Sequence, residues 1–332
     1  MKITIATMAN VRPDFIELQQ ESIRRFVEDV DVEYVVFNTA YDNAQRFNQI
    51  ETICSQQKIK TISVKSPSYI RRLLNKRNAS RAVGFNLNTI WKKHLSKEKG
   101  LLVLIDSDMF FMKKVSIEKL FSDKDLCIVP KYHGANLAHV SIWTGLMFFN
   151  MDTLPSPEEL RWEPGSMHGY KVDVGGLTSH YIQKHTPELK ICYMEMWNLE
   201  DIIHFPSGNK QILCSLNGNI RFVIDYDPRN TMIQVQTKDP FLSRKKLFPY
   251  QKEQSDFFEY ISKKFLEFEL VLSQEKLELP HPFWIDFFNT ADSPLTESFI
   301  FHYKSGSNWL PFSTDEYNAQ KTRAVAQFIK NK

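Results

Sequence analysis

Two carboxylates one residue apart, Asp106 and Asp108 around Ser107, stand directly after Gly-Leu-Leu-Val-Leu-Ile at 100–105. Five apolar residues in a row, Leu101 to Ile105, predict a short strand buried on both faces. Such a strand delivers both charges to the edge of a sheet, where they repel each other unless a cation or solvent compensates. The apolar run resumes at once with Met109, Phe110, Phe111 and Met112, which an ordinary hydrophilic turn would not do. A divalent metal holding a phosphorylated ligand accounts for this pattern. The plainer alternative is a turn or helix cap, in which Asp side chains bond to nearby backbone N–H groups.

A second segment far down the chain, Phe299-Ile-Phe-His-Tyr-Lys-Ser-Gly-Ser-Asn-Trp309, weighs against that alternative. Its apolar residues predict a strand ending in His302. Imidazole joins carboxylates around Mn²⁺, Fe or Zn. Lys304 can neutralise phosphate oxygens, and Gly306 lets backbone N–H groups approach them closely. A third candidate is Asp173 in Val-Asp-Val-Gly-Gly at 172–176, either a carboxylate able to move a proton or the N-cap of a helix opening there.

The elements that must position these residues follow from periodicity. Residues 2–8 read as a strand, and Phe15, Leu18, Ile23 and Phe26 then recur at helical spacing after Pro13. Residues 33–38 predict a second strand, 45–56 a helix and 60–64 a third strand. This βαβαβ opening predicts an α/β fold with a mostly parallel sheet flanked by helices. Nucleotide-type ligands would lie at the strands' C-terminal ends, so Thr7, Ala9 and Asn10 would flank a base and ribose. Residues 69–93 predict one or two helices carrying Arg71, Arg72, Lys76, Arg77 and Arg81. Further strands are expected over 101–105, 126–130, 141–150, 191–197 and 220–224, with a helix from the 171–176 segment to Lys184. Residues 1–237 read as a nucleotide-binding catalytic domain and 238–298 as a helical insertion or lid. Residues 299–332 would return to the site.

Together the βαβ opening, the strand ending in Asp-x-Asp and the late His-x-x-x-Gly-x-x-Trp resemble the GT-A-fold, metal-dependent glycosyltransferases. The likeness is strongest to the retaining group of glycogenin-like enzymes and bacterial lipopolysaccharide galactosyltransferases. That group carries His-x-x-Gly-x-Lys-Pro-Trp. In His302-Tyr-Lys-Ser-Gly-Ser-Asn-Trp309 the Gly comes one position later, the Lys precedes it and the Pro is absent. Thr144-Gly-Leu-Met-Phe-Phe-Asn150 also resembles that group's strand beside the donor. The resemblance covers roughly residues 1–235 and 299–309.

The resemblance implies a GT-A-type Rossmann-like mixed sheet. It implies that Asp106, Asp108 and His302 hold Mn²⁺ or Mg²⁺, with Asp106 and Ser107 also near the donor. Lys304 and Gly306 would bind the diphosphate, and Arg77, Asn78 and Arg81 the nucleotide, although basic residues on a helix are usually a solvated face. Asp173 would hold the donor sugar, or in an inverting enzyme deprotonate the acceptor. Trp143, His133, His139 and His168 fall on the acceptor side. The donor implied is a UDP-sugar and the acceptor a glycan, lipid-linked or protein hydroxyl.

A net charge of +3 over 332 residues argues against a nucleic-acid partner. Four dispersed cysteines without C-x-x-C spacing predict free thiols in a reducing compartment. Residues 1–10 follow a strand pattern with no signal-peptide core, and no stretch approaches the ~20 apolar residues of a transmembrane span. A soluble cytoplasmic chain is therefore expected, with peripheral membrane contact left open through the Arg244-Lys-Lys246 start of the insertion. Two competing readings are a nucleotidyltransferase and a non-catalytic sugar-nucleotide or glycan-binding module. The first usually carries a Gly-rich loop after its first strand, and Ala6-Thr-Met-Ala-Asn-Val-Arg12 has no Gly. Three intact candidate metal ligands argue against the second.

Overall fold

The computed structural model describes residues 1–64, 79–133, 139–167, 169–216, 220–226, 232–237, 266, 285–290, 300–303, 322–323, 325–327 and 329–330. They form two compact units, Met1–Ser107 with Lys114–Met194, and Asp108–Lys113 with Glu195–Lys332.

The first unit opens with β1 (Ile3–Ala9), α1 (Asp14–Phe26), β2 (Val32–Asn38), α2 (Ala44–Gln56) and β3 (Lys60–Ser63). Pro13 leads into α1 with φ −60°, and Asp14 and Glu17 at its start and Arg24 and Arg25 at its end complement the helix dipole. Asn43 caps α2 by accepting from the Arg46 N–H at 3.0 Å. Next come α3 (Ala79–Lys93) and β4 (Leu101–Ile105), all five of whose residues are buried, as expected for a strand covered on both faces. After the carboxylate turn, β5 (Met109–Phe111) belongs to the second unit. The first unit resumes with α4 (Ile117–Phe121), β6 (Leu126–His133), β7 (His139–Asn150), β8 (Gly165–Met167), β9 (Tyr170–Val172), α5 (Thr178–His185) and the start of β10 (Ile191–His204).

The central strands run in the order β3-β2-β1-β4-β7-β6-β10. The pairs β1/β2, β2/β3, β1/β4 and β6/β10 are parallel, whereas β7 is antiparallel to both β4 and β6. The α/β class expected from the sequence is therefore observed. The order runs outward from β1 to β3 and then returns to the other side of β1. Right-handed crossovers accordingly place α3 on the opposite face from α1 and α2, and the reversal lies between the C-terminal ends of β1 and β4. One core cluster joins Leu102 and Leu104 of β4, Met147 and Phe149 of β7, Leu87, Ile90 and Trp91 of α3, and Trp162.

Three local differences from expectation have identifiable causes. The helix expected to open at 171–176 begins instead at Thr178, because Gly175 sits at φ +81° and the chain turns there. Asp173 therefore caps no helix; the residue at the α5 N-cap position is Leu177. The strand expected over 191–197 runs on to His204, because its second half pairs with β11 (Lys210–Leu216).

In the second unit, β10, β11, β12 (Ile220–Tyr226) and β13 (Met232–Thr237) form an antiparallel meander. Off this meander, β14 (Ile285–Thr290) pairs with β10 as well as β15 (Ile300–Tyr303), and β14 and β5 flank β15, both antiparallel to it. Within 238–298 the described residues are Leu266, which is helical, and β14. The stretch read as a helical insertion therefore also supplies a strand. Among the described residues, no helix is long and apolar enough to cross a membrane.

Candidate functional site

The carboxylate turn is gripped through its backbone. The Asp106 N–H donates to the Gly145 carbonyl of β7 at 2.8 Å. The Asp106 carbonyl accepts from Gln19 Nε2 of α1 at 2.9 Å, and Gln19 Oε1 accepts from the Tyr34 hydroxyl of β2 at 2.6 Å. Gln19 is wholly buried. Nothing in the sequence pattern singles out Gln19 or Tyr34: a Gln on a helix and a Tyr in a strand carry no signal until their partners are known.

In the second unit, antiparallel pairing of β15 with β5 sets His302 opposite Met109, next to Asp108. His302 Nε2 lies 3.4 Å from Asp108 Oδ1, and both side chains are buried. Asp106, two residues before Asp108, completes an Asp-Asp-His group of metal-ligand type. Two carboxylate oxygens and an imidazole nitrogen suit a Mn²⁺-like ion, and the burial of Asp108 beside half-buried Asp106 favours a cation that offsets their charge. These side chains fit a divalent metal.

At the end of β1, the Thr7 hydroxyl is buried and has no hydrogen-bond partner among the described residues. Ala9 is buried, with its carbonyl accepting both the Thr39 N–H at 2.9 Å and the Thr39 hydroxyl at 3.0 Å. Asn10 is exposed. Just beyond, Arg12 is buried against the Phe15 ring and bonds Asp14 through Nε at 2.9 Å and Nη2 at 2.5 Å. The sequence does not single out Arg12, because arginines at a helix start are usually solvated.

Because β6 and β4 are both antiparallel to β7, their C-terminal ends share the edge reached by Asp106. Lys131 of β6 places Nζ 3.9 Å from Asp173 Oδ2 on the turn after β9. Asp173 is exposed, and its Oδ1 accepts its neighbour's Val174 N–H at 2.8 Å. The turn is pinned at two places: Gly175 N–H donates to the Trp162 carbonyl at 2.9 Å, and Thr178 Oγ1 accepts the Ile142 N–H of β7 at 2.9 Å. A Cβ on Gly175 would lie 2.4 Å from the Ile142 carbonyl oxygen.

Beside this turn β7 bulges. Ile128 pairs with Met147 but Pro130 with Ile142, so β7 advances 147 − 142 = 5 residues while β6 advances 130 − 128 = 2. The indole of half-buried Trp143 occupies the space a Gly145 side chain would need, with ring atoms 2.2–2.6 Å from a Cβ built there. Bulges of this kind re-aim side chains near ligand sites. Trp143 therefore lies over Gly145, the residue whose carbonyl holds Asp106.

Arg81 is exposed in the first turn of α3, the end that a crossover into β4 brings to the same edge. Ser107 is half-buried between the two aspartates. Arg71, Arg77, Asn78, His168, Lys304 and Gly306 lie outside the described residues, as do the side chains of His133 and His139.

No protein-family model and no curated protein matches the sequence. Among solved structures, the mannosyltransferase Ktr4p from S. cerevisiae is similar over 48% of this chain and 59% of its own, at 14% identity and a TM-score of 0.33. The galactosyltransferase LgtC, solved with donor and acceptor sugar analogs, is similar over 57% of this chain and 72% of its own, at 12% identity and a TM-score of 0.31. This chain thus spans less than two thirds of Ktr4p, and the fold described above rests on its own strand order and registers.

Proposed function

We propose that this chain is a metal-dependent glycosyltransferase that moves a sugar from a nucleotide-diphosphate sugar, UDP-linked, to a hydroxyl acceptor with retention. The observation that carries the reading is the buried meeting of Asp108 with His302, on segments far apart in the chain, just beyond the strand Leu101–Ile105. A group costly to bury is kept where it does work.

Asp106, Asp108 and His302 would hold Mn²⁺ or Mg²⁺. Bound there, such an ion supplies positive charge against the negative charge that builds on a departing diphosphate. Lys304 and the Gly306 backbone would bind the phosphate oxygens. Thr7, Ala9, Asn10, Ser107, Arg77, Asn78 and Arg81 would line the nucleotide, and the unpartnered Thr7 hydroxyl would gain a ligand oxygen or a water. Asp173, exposed and 3.9 Å from Lys131, would orient the donor sugar's hydroxyls. Residues 1–237 and 299–332 would make up the catalytic part, with 238–298 as an appendage to it. Four buried free cysteines accord with a reducing, cytoplasmic setting.

The test is a thermal-shift screen of UDP-, GDP-, CMP- and dTDP-sugars with and without Mn²⁺, followed by donor hydrolysis. The parent should be stabilised by one nucleotide sugar in a Mn²⁺-dependent way. Asp173→Asn should keep that shift and lose about 10²-fold in rate, the loss that misplacing a bound reactant brings. Absence of any Mn²⁺-dependent shift across the screen would sink the reading.

A further inference from the structure

Gln19 buries a primary amide completely. Such a group is costly to bury unless its donors and acceptor are met. Here the oxygen takes the Tyr34 hydroxyl at 2.6 Å and the nitrogen donates to the Asp106 carbonyl at 2.9 Å. That carbonyl can only accept, so the NH₂ must face it; the Tyr34 hydroxyl then donates to Oε1 and fixes the amide's orientation. Burial, and after it the neighbouring Cys54, push the Tyr34 phenol well above its ordinary range, so it stays a donor. From the other side, β7 holds the Asp106 N–H through Gly145 at 2.8 Å. Both main-chain groups of Asp106 are therefore fixed just before the chain passes through Ser107 into Asp108. A Leu at 19 and a Phe at 34 would fill similar volume, and neither would hold a peptide.

We propose that Gln19, oriented by Tyr34, is a positioning residue for the carboxylate turn. It sets the peptide plane between Asp106 and Ser107 and so the directions in which Asp106 and Asp108 leave the backbone. The inference rests on the metal reading of that turn. Partners one step removed from a metal's ligands govern affinity by holding those ligands in place, and losing one typically costs about 10–100-fold.

Three variants test this: Gln19→Leu, Gln19→Glu and Tyr34→Phe. Glu keeps an acceptor for Tyr34 and, read at a pH high enough to ionise a buried carboxyl, has nothing to donate to Asp106. Two readouts are needed, calorimetric titration with Mn²⁺ alone and hydrogen exchange of the Asp106 amide in metal-free protein. The Gln19 variants should bind Mn²⁺ about 10–100-fold more weakly and exchange the Asp106 amide faster, with Tyr34→Phe shifted the same way by less. A residue that merely packs would lower the urea midpoint while leaving Mn²⁺ affinity and Asp106 exchange at parental values, and that result overturns the proposal. A parent that binds no Mn²⁺ removes the metal reading, and Asp106 exchange still decides the role of Gln19. Should Gln19→Leu fail to fold, Gln19→Glu and Tyr34→Phe decide it.

Discussion

Replacing Asp108 by Asn separates two accounts of the buried Asp108–His302 pair through its effect on stability. Their 3.4 Å separation is longer than the ~2.7–2.9 Å of a charge-assisted N–H···O bond. Two ligand atoms each about 2.1 Å from a shared ion, subtending roughly 90–109° at it, would lie about 3.0–3.4 Å apart. The observed spacing suits the second arrangement. If the pair were instead a structural salt bridge, removing the carboxylate would break a buried ion pair and cost about 3–5 kcal/mol. If its partner is a metal, the metal-free protein carries two carboxylates two residues apart. Deleting one should then change stability by about 1 kcal/mol or less, or raise it, as functional sites often do. The parent, but not the variant, should gain about 2.7 kcal/mol when Mn²⁺ is present at a hundred times its Kd. Urea unfolding of both proteins, in chelator and in Mn²⁺, reads all four values. A loss of 3 kcal/mol or more in chelator, with no gain from Mn²⁺ in the parent, would refute the metal account.

Two further outcomes test the surroundings. Gly175→Ala places a methyl 2.4 Å from the Ile142 carbonyl oxygen at φ +81°, so the turn must move; the left-handed conformation alone costs roughly 1–2 kcal/mol. It should lower the urea midpoint and, by displacing Asp173, reduce kcat while donor affinity holds; parental kcat would detach this turn from the chemistry. Burial, and then Lys93 and Lys97, lower the His94 pKa from its ordinary 6.5. A lowered folded-state pKa means the unfolded chain binds the proton more readily, so this contribution is complete above pH 6.5 and is lost as pH falls through the folded value. The urea midpoint should drop between pH 7.5 and 5.5, and His94→Gln should drop less; an equal drop would remove His94 as the cause.

How much of this could be read from the sequence depended on whether a residue's type is costly where it sits. Leu101–Ile105 between charges can hardly be anything but a buried strand, and an apolar stretch ending in His302 announces the second half of the pair. Each conveys its placement without knowledge of a partner. The β7 bulge conveys nothing alone, since a five-against-two advance exists only relative to β6. The strands β11, β13 and β14 escaped for a related reason: in Lys210–Leu216 and Met232–Thr237, polar residues interrupt the apolar ones, and antiparallel neighbours make those segments strands. On α1 the apolar spacing predicted a buried face of Phe15, Leu18, Ile23 and Phe26, yet Gln19 and Ser22 are fully buried and Leu18 is half-buried. That displacement follows from hydrogen bonding. Gln19 turns inward where it bonds both the Tyr34 hydroxyl and the Asp106 carbonyl, and a leucine there would remove both bonds. The helix face is thus set partly by the turn it supports, so the dependence runs from the site to the scaffold as well as from the scaffold to the site.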